Sequence, residues 1–309
     1  MKDNCRLSVE RGDNLKKDII SIKDLSTEEI DKIIDVANLR DELFVKYRDS
    51  LRNKVAGTLF FEPSSRTKLS FQSAFIRLGG QYIGFSDIEE SRCGSSYNEK
   101  MCDLGRIIDS YCDLIILRHF DNDAVFELAE NTKIPLISAG NGTDEHPTQG
   151  LTDLYTINKE FGTFDGLQIM IIGTIPSRSM NSLIIGLSRY NDVHFHIIGN
   201  NYDIPTRFAS QDITFYASFS DFNSKRERSL DINVIYVTEI KPDIAKSEKY
   251  VLSPEVLSAF PNAVIMCPLP RTSELPFSID HHNSVRYFYQ AKSGLYVRAA
   301  LYLHIFQII

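Results

Sequence analysis

Short apolar segments with strand character alternate along this chain with segments of helical periodicity. The strand candidates lie at residues 55–61, 114–117, 135–138, 167–172, 194–198, 234–237 and 263–266. Apolar strands separated by amphipathic helices are typical of α/β proteins, in which helices cover both faces of a parallel sheet. The sequence therefore predicts an α/β fold, and 309 residues are enough for two packed domains.

Local signals locate several helices. Ser26 and Glu29 form a capping-box pattern, which predicts a helix start at that point. A second helix is predicted after Pro63 from four apolar residues at helical spacing, Phe71, Ala74, Phe75 and Leu78. A closing helix over 295–306 is predicted from four residues on one face, Leu295, Ala299, Tyr302 and Phe306.

Composition excludes several classes of protein. The net charge is −7 and the chain has no long basic block, so we expect no nucleic-acid partner. No apolar run approaches the roughly 18 residues of a membrane span, so we expect no membrane partner. The five cysteines are odd in number and form no Cys-x-x-Cys pair. Together with a charged N-terminal segment, they predict a cytoplasmic protein.

The segment after the first predicted strand has the composition of an anion site. Ser64, Ser65, Arg66 and Thr67 follow the strand and open the next helix. Backbone N–H groups of a first helical turn, three hydroxyls and a guanidinium can converge there on one phosphate. The alternative is an ordinary serine N-cap beside a surface arginine.

Other polar residues also follow predicted strands. Arg118 ends one strand, and His146 and Gln149 open a helix after a glycine-rich loop. An arginine and a neutral histidine beside a phosphate suit the polarisation of a carbonyl group. Cys267 begins a Pro-containing loop that can present backbone carbonyls. Taken alone, His146 could be a loop residue that packs locally, and the Cys267 loop could be a stiff turn.

These segments, in this order and spacing, resemble the aspartate/ornithine carbamoyltransferase family, particularly its aspartate branch. The resemblance runs from SIKDLSTEEI through FFEPSSRTKLSFQSAFIRLGG, ILRH, HPTQGLTDLYTI and CPLPR to YFYQAKSGLYVRAAL. It implies two α/β domains, each with a mainly parallel sheet flanked by helices. Residues 1–147 with 293–309 would form a carbamoyl-phosphate domain, and 148–292 an amino-acceptor domain. The family also implies a homotrimer with active sites between subunits.

The resemblance also implies site residues, and it requires neither an organic cofactor nor a metal. Arg66, Thr67, Arg118 and His146 would be catalytic and would stabilise the oxyanion. The residues that bind carbamoyl phosphate would be Ser64, Ser65, Arg66, Thr67, Arg118, His146, Gln149, Cys267 and Leu269. Arg178 would bind a carboxylate of the second substrate, a small amine or amino acid, through a bidentate pair.

Two departures from the family pattern affect the predicted site. A loop serine and lysine of the family correspond here to Arg92 and Ser96, and either Arg92 or Lys100 would have to restore the lost charge. Glu239 stands where the aspartate branch has an arginine for the side-chain carboxylate, and Lys241 follows two residues later. Glu239 would repel a carboxylate, whereas Lys241 could turn inward and replace the arginine.

We therefore expect a carbamoyltransferase whose acceptor site is altered. The acceptor would carry a carboxylate for Arg178 and a neutral or cationic end for Glu239, unless compensating groups allow aspartate itself. In the latter case the chain would serve pyrimidine biosynthesis. The alternative is a catalytically silent homologue that acts as a binding or assembly partner, and a regulatory or active homologous chain is a further candidate partner.

Overall fold

The computed structural model describes residues 16–93, 99–174, 176–199, 206–227, 229–238 and 250–309. The chain divides into two compact units. The first extends to Thr148 and includes Gly294–Ile309, and the second is Gln149–Ser293. Each unit contains one parallel sheet, which confirms the predicted fold class.

The first unit has a four-stranded sheet in the order β2-β1-β3-β4. Its strands are β1 (Val55–Phe60), β2 (Gln81–Phe85), β3 (Leu114–His119) and β4 (Leu136–Asn141). Its helices are α1 (Thr27–Ala37), α2 (Asp41–Lys46), α3 (Ser65–Arg77), α4 (Met101–Ile108) and α5 (Ala124–Glu130). Apolar residues of β3 and α5, such as Ile115 and Leu128, are fully buried in its core.

The second unit has a five-stranded parallel sheet in the order β7-β6-β5-β8-β9. Its strands are β5 (Gln168–Ile172), β6 (His194–Ile198), β7 (Ile213–Tyr216), β8 (Val234–Val237) and β9 (Val264–Met266). Among the residues described, the remaining α-helices are α6 (Pro147–Phe161), α7 (Arg178–Leu187), α8 (Phe219–Lys225), α9 (Pro254–Ser258) and α10 (Tyr287–Ile305). Both unit boundaries fall inside helices, the first in α6 and the second in α10.

Local chemistry explains where the predicted helices begin and end. Ser26 accepts a hydrogen bond from the Glu29 backbone N–H while the Glu29 side chain returns to the Ser26 backbone, so the capping box is confirmed. The four apolar residues predicted for α3 are all fully buried. After α3, Gly79 takes a φ of +91°, which glycine adopts without steric strain.

Two strands were not predicted, and both lie at sheet edges. Residues Gln81–Phe85 of β2 are mostly exposed, and β7 is only partly buried. Edge strands of this kind need no continuous apolar run, which is the signal on which the prediction depended.

The closing helix differs from its prediction in extent and in burial. It begins at Tyr287, well before residue 295. Val297, Ala300 and Leu301 are buried together with Ala299 and Tyr302, so apolar contacts surround the helix. The single packing face predicted from its spacing is therefore wrong, because this helix is embedded rather than laid on a surface. Among the residues described, no helix is long and apolar enough to cross a membrane.

Candidate active site

Three predicted site segments leave the same edge of the first sheet. Strands β1, β3 and β4 are neighbours, with Phe60 paired to Arg118 and His119 paired to Asn141. Because these strands are parallel, the residues that follow them lie at one edge, where α/β sheets commonly bind ligands. The sheet thus brings together the segments containing Ser64, Arg118 and His146.

The loop between β1 and α3 ends at a helix start that has no side-chain cap. The Phe61 backbone N–H donates to the Arg118 carbonyl at 2.9 Å, which continues the strand pairing into the loop. Ser64 is the N-cap residue, but its side chain makes no capping hydrogen bond. The ordinary serine cap weighed from the sequence is therefore not present, and the first-turn N–H groups and Ser64 hydroxyl are suited to an anion.

Two further residues of this segment differ in exposure. Thr67 is buried in the first turn of α3, whereas Ser65 and Arg66 are exposed. A buried hydroxyl and an exposed guanidinium at the same helix start can both contact a ligand that binds there.

Arg118 is buried at the end of β3, where the Ala139 carbonyl and the Glu62 carboxylate contact it. Its Nη1 donates to the Ala139 carbonyl at 3.2 Å, and its Nε lies 3.1 Å from Glu62 Oε2. Glu62 belongs to the β1–α3 loop, so the ion pair links two of the three strand-end segments. No role was predicted for Glu62 from the sequence, although it stands directly before Pro63 and Ser64.

His146 is buried in the turn between β4 and α6. Its Nδ1 lies 3.4 Å from the Thr148 hydroxyl. The preceding residue, Glu145, is also buried, and its carboxylate accepts from the Ser21 hydroxyl at 2.8 Å and the Ile22 N–H at 3.2 Å. This anchor fixes the backbone that presents His146.

His119 has a local structural role. Its Nδ1 accepts from the Asp121 N–H at 2.9 Å, and its ring contacts Phe61 and Phe120. Burial lowers its pKa, an effect that the Asp121 carboxylate opposes. A neutral ring that accepts a backbone hydrogen bond is consistent with that direction.

The second unit contains the other residues predicted to surround the carbamoyl group. Gln149 Nε2 donates to Asp153 Oδ1 at 2.7 Å. The Cys267 N–H donates to Gln290 Oε1 at 2.8 Å, and the Leu269 N–H lies 3.3 Å from Cys267 Sγ. Leu269 has a φ of +55° and precedes a cis peptide bond to Pro270.

Arg178 is the first residue of α7 and is half-buried. The preceding residue, Ser177, caps the helix and pairs with the Thr238 hydroxyl at 2.9 Å. Thr238 follows β8, so the start of α7 lies beside the chain that leads to the predicted acceptor residues. Gly173 permits this approach, since a Cβ there would lie 2.4 Å from Thr238 Cγ2.

Several predicted site residues lie outside the described part of the chain or close to its boundaries. Glu239, Lys241 and Ser96 lie outside the described residues. Arg92 and Lys100 are exposed and lie on either side of residues 94–98, which are outside the described ranges. Lys100 is the N-cap residue of α4. Whether either cation replaces the family lysine stays a prediction.

A separate polar cavity of about 510 Å³ is lined by His194 and His196 of β6, among others. His194 lies 2.7 Å from Asp212, and His196 Nε2 lies 2.9 Å from Gln168 Oε1. Within the described ranges, no group of three or more His, Cys, Asp or Glu side chains could hold a metal ion.

The fold and the strand-end groups define an α/β protein suited to a phosphorylated ligand. Residues 17–159 match the family model for the carbamoyl-P binding domain of aspartate/ornithine carbamoyltransferases. The aspartate carbamoyltransferase catalytic subunit of Methanocaldococcus jannaschii is 35% identical over 302 residues, covering 92% of this chain and 96% of that protein. That of Parabacteroides distasonis is 36% identical over 298 residues, covering 92% and 95%. The chain belongs to the aspartate/ornithine carbamoyltransferase family.

Solved structures agree with this assignment. The M. jannaschii catalytic subunit aligns with a TM-score of 0.81 at 33% identity, covering 94% of this chain and 98% of that chain. Trypanosoma cruzi aspartate transcarbamoylase, in complex with carbamoyl phosphate and aspartate, aligns with a TM-score of 0.82 at 28% identity, covering 93% and 94%. The chain is thus a carbamoyltransferase, and none of these findings favours the alternative of a silent binding partner.

Proposed function

We propose that this enzyme transfers the carbamoyl group of carbamoyl phosphate to the amine of a small carboxylate-bearing acceptor. The observation that carries the proposal is the common edge of β1, β3 and β4, where the uncapped start of α3, Arg118 and His146 are grouped. This group supplies the charges and donors that a phosphorylated carbonyl compound needs.

In this proposal the first unit binds the donor substrate. Ser64, Ser65 and the N–H groups of α3 hold the phosphate, and the exposed Arg66 adds a positive charge. The phosphate is stabilised as it becomes a leaving anion, because the positive end of the helix already faces it.

The reaction is a direct acyl transfer. The neutral acceptor nitrogen forms a bond to the carbamoyl carbon while the carbon–oxygen bond to phosphate breaks, and the proton that the nitrogen loses passes to the departing phosphate. Arg66, Thr67, Arg118 and His146 stabilise the negative charge on the carbonyl oxygen, and Gln149 with the carbonyls of Cys267 and Leu269 binds the carbamoyl NH2 group. A hydrogen-bond donor that is already aimed at the developing oxyanion is worth about 10²–10³-fold in rate.

The second unit binds the acceptor. Arg178 receives one carboxylate, since its position at the start of α7 is fixed by the Ser177–Thr238 pair. Glu239 and Lys241 select the other end of the acceptor. Aspartate is the second substrate in the T. cruzi complex. For this enzyme we propose one of two acceptors. The first is aspartate, with Lys241 binding its side-chain carboxylate, and the second is an amine whose neutral or cationic end faces Glu239.

The assay that tests this function measures phosphate release and carbamoylated product across aspartate, ornithine, putrescine, diaminopropionate and no acceptor. Turnover with aspartate supports compensation by Lys241, and turnover with a cationic amine supports the altered pocket. The matched variant is Arg178→Lys, which keeps the positive charge but loses the bidentate fork. It should raise the KM for the acceptor. Absence of carbamoyl product in every well would refute the proposed function.

We further propose a homotrimer. Leu69 and Ile76 of α3 and Tyr82 and Ile83 of β2 are large apolar side chains that are exposed on adjacent elements of the first unit. Exposed apolar side chains of this size are common at subunit interfaces, and Leu69 and Ile76, seven positions apart, share one face of α3. Light scattering should give about three times the 35.2 kDa chain mass, and Ile83→Lys should lower it. A monomer at micromolar concentration would contradict the trimer.

Two finer sequence predictions also stay proposals. The cysteine pattern supports a cytoplasmic location, which subcellular fractionation tests. A role in pyrimidine biosynthesis follows only if aspartate is the acceptor, and rescue of a host that lacks its own aspartate carbamoyltransferase tests that role.

A further inference from the structure

A buried carboxylate in the second unit joins elements that are distant in the sequence. Asp153 is fully buried on α6. Its Oδ1 accepts from Gln149 Nε2 at 2.7 Å and from Gln290 Nε2 at 2.6 Å, and its Oδ2 accepts from the Tyr236 hydroxyl at 2.8 Å. The three donors come from α6, α10 and β8.

A carboxylate with donors on both oxygens acts only as an acceptor. The amides of Gln149 and Gln290 must therefore turn their NH2 groups toward Asp153. Burial and the neighbouring Asp153 raise the pKa of Tyr236 well above its usual value, so its hydroxyl stays protonated and donates.

Because each amide turns its NH2 group toward Asp153, its oxygen is directed away from the carboxylate. Gln290 Oε1 faces the Cys267 N–H at 2.8 Å, so the start of the Cys267–Leu269 loop is held by the same carboxylate. Gln149 uses Nε2 on Asp153, which leaves its Oε1 as the acceptor for a ligand N–H. One carboxylate thus sets the direction of both groups that the proposed function assigns to the carbamoyl NH2 group.

We propose that Asp153 is a positioning residue that orients Gln149 and, through Gln290, the Cys267–Leu269 loop for recognition of the carbamoyl NH2 group. This inference rests on the proposed function. It assigns discrimination between an amide-bearing phosphate ligand and a simple phosphate to a residue that touches neither.

The test compares two ligands that differ in the amide. Phosphonoacetamide carries a phosphonate and an NH2 group, whereas methylphosphonate has only the phosphonate. Calorimetry on the full-length wild-type enzyme should show tighter binding of phosphonoacetamide. In Asp153→Leu the ratio of the two affinities should fall about tenfold, because the amides lose their anchor, while methylphosphonate binding stays within about threefold.

Two variants of the same cluster serve as controls. Asp153→Asn keeps an oxygen that can accept from both amides, and the Tyr236 hydroxyl can rotate to accept from the new NH2 group, so this variant should retain the ratio. Tyr236→Phe leaves Oδ1 and both amides in place and should also retain it. Should Asp153→Leu fail to fold, Asp153→Leu combined with Tyr236→Phe removes the stranded hydroxyl and serves instead.

The outcomes separate this inference from the proposed function. An unchanged ratio in the folded Asp153→Leu protein would overturn the positioning role. An equal loss of affinity for both ligands would also overturn it, because it would show a general structural defect. If wild-type enzyme binds neither ligand, the proposed function fails first. A fall of about 10²-fold in kcat that is confined to Asp153→Leu would be the matching kinetic result.

Discussion

The Arg118–Glu62 ion pair should contribute measurably to stability because its guanidinium is largely shielded from water. Arg118 Nε lies 3.1 Å from Glu62 Oε2, with the side chains 10% and 32% exposed. At an effective dielectric of about 20, unit charges about 4 Å apart attract by about 4 kcal/mol. Desolvation of the guanidinium offsets much of this attraction, so we expect a coupling free energy of about 1–2 kcal/mol.

A double-mutant cycle with Arg118→Met and Glu62→Gln measures this coupling by urea unfolding. Arg118→Met alone should cost about 2–3 kcal/mol, because it also strips the Ala139 carbonyl of its donor. The Lys54–Asp113 pair of the same unit is the control, at 2.9 Å with 43% and 33% exposure. Its coupling should stay below about 1 kcal/mol, as for other exposed pairs.

Activity supplies a second readout for the same variants. Arg118→Met should lower kcat by about 10²–10³-fold, whereas Glu62→Gln keeps the guanidinium and should cost far less. A coupling for Arg118–Glu62 no larger than that for Lys54–Asp113 would refute the argument from burial. Equal activity losses in the two variants would refute the assignment of charge stabilisation to Arg118.

Three further predictions concern hydroxyls, a glycine and a histidine. Ser64→Ala should weaken phosphate binding while leaving the free energy of unfolding within a few tenths of a kcal/mol, whereas Ser26→Ala should cost about 1 kcal/mol by loss of its cap. Gly173→Ala should cost more than about 2 kcal/mol in urea unfolding, because φ is +149° and a Cβ would meet Thr238. Burial, with the His194 ring adding, lowers the pKa of His196 to about 4, so the unfolded chain takes up the proton first. The contribution of His196 to stability should therefore fall as the pH drops from about 6.5 toward 4, by about 2 kcal/mol between pH 7 and pH 5, and His196→Gln should remove this contribution.

The inner strands of both sheets were predictable because burial on both faces requires an apolar run. The sequence placed β1, β3, β5, β6 and β8 to within a residue or two of their observed bounds. It missed β2 and β7, whose outer edges pair with no described strand; the side chains of β2 are mostly exposed, and those of β7 are partly exposed. For such strands the pairing partner, rather than the local pattern, determines the structure.

Order along the chain was enough to propose which residues carry the chemistry. Ser64–Thr67, Arg118 and His146 follow strands, and a parallel sheet brings such residues to one edge regardless of their separation in sequence. By itself, therefore, the sequence determined the fold class, the family resemblance and the candidate anion site.

Only the tertiary structure decided how those residues are held. Glu62 pairs with Arg118, Glu145 accepts from Ser21, and Asp153 binds Gln290 across 137 positions of the chain. No local pattern specifies such partners, because a buried polar group takes its hydrogen bond from whichever element is packed beside it.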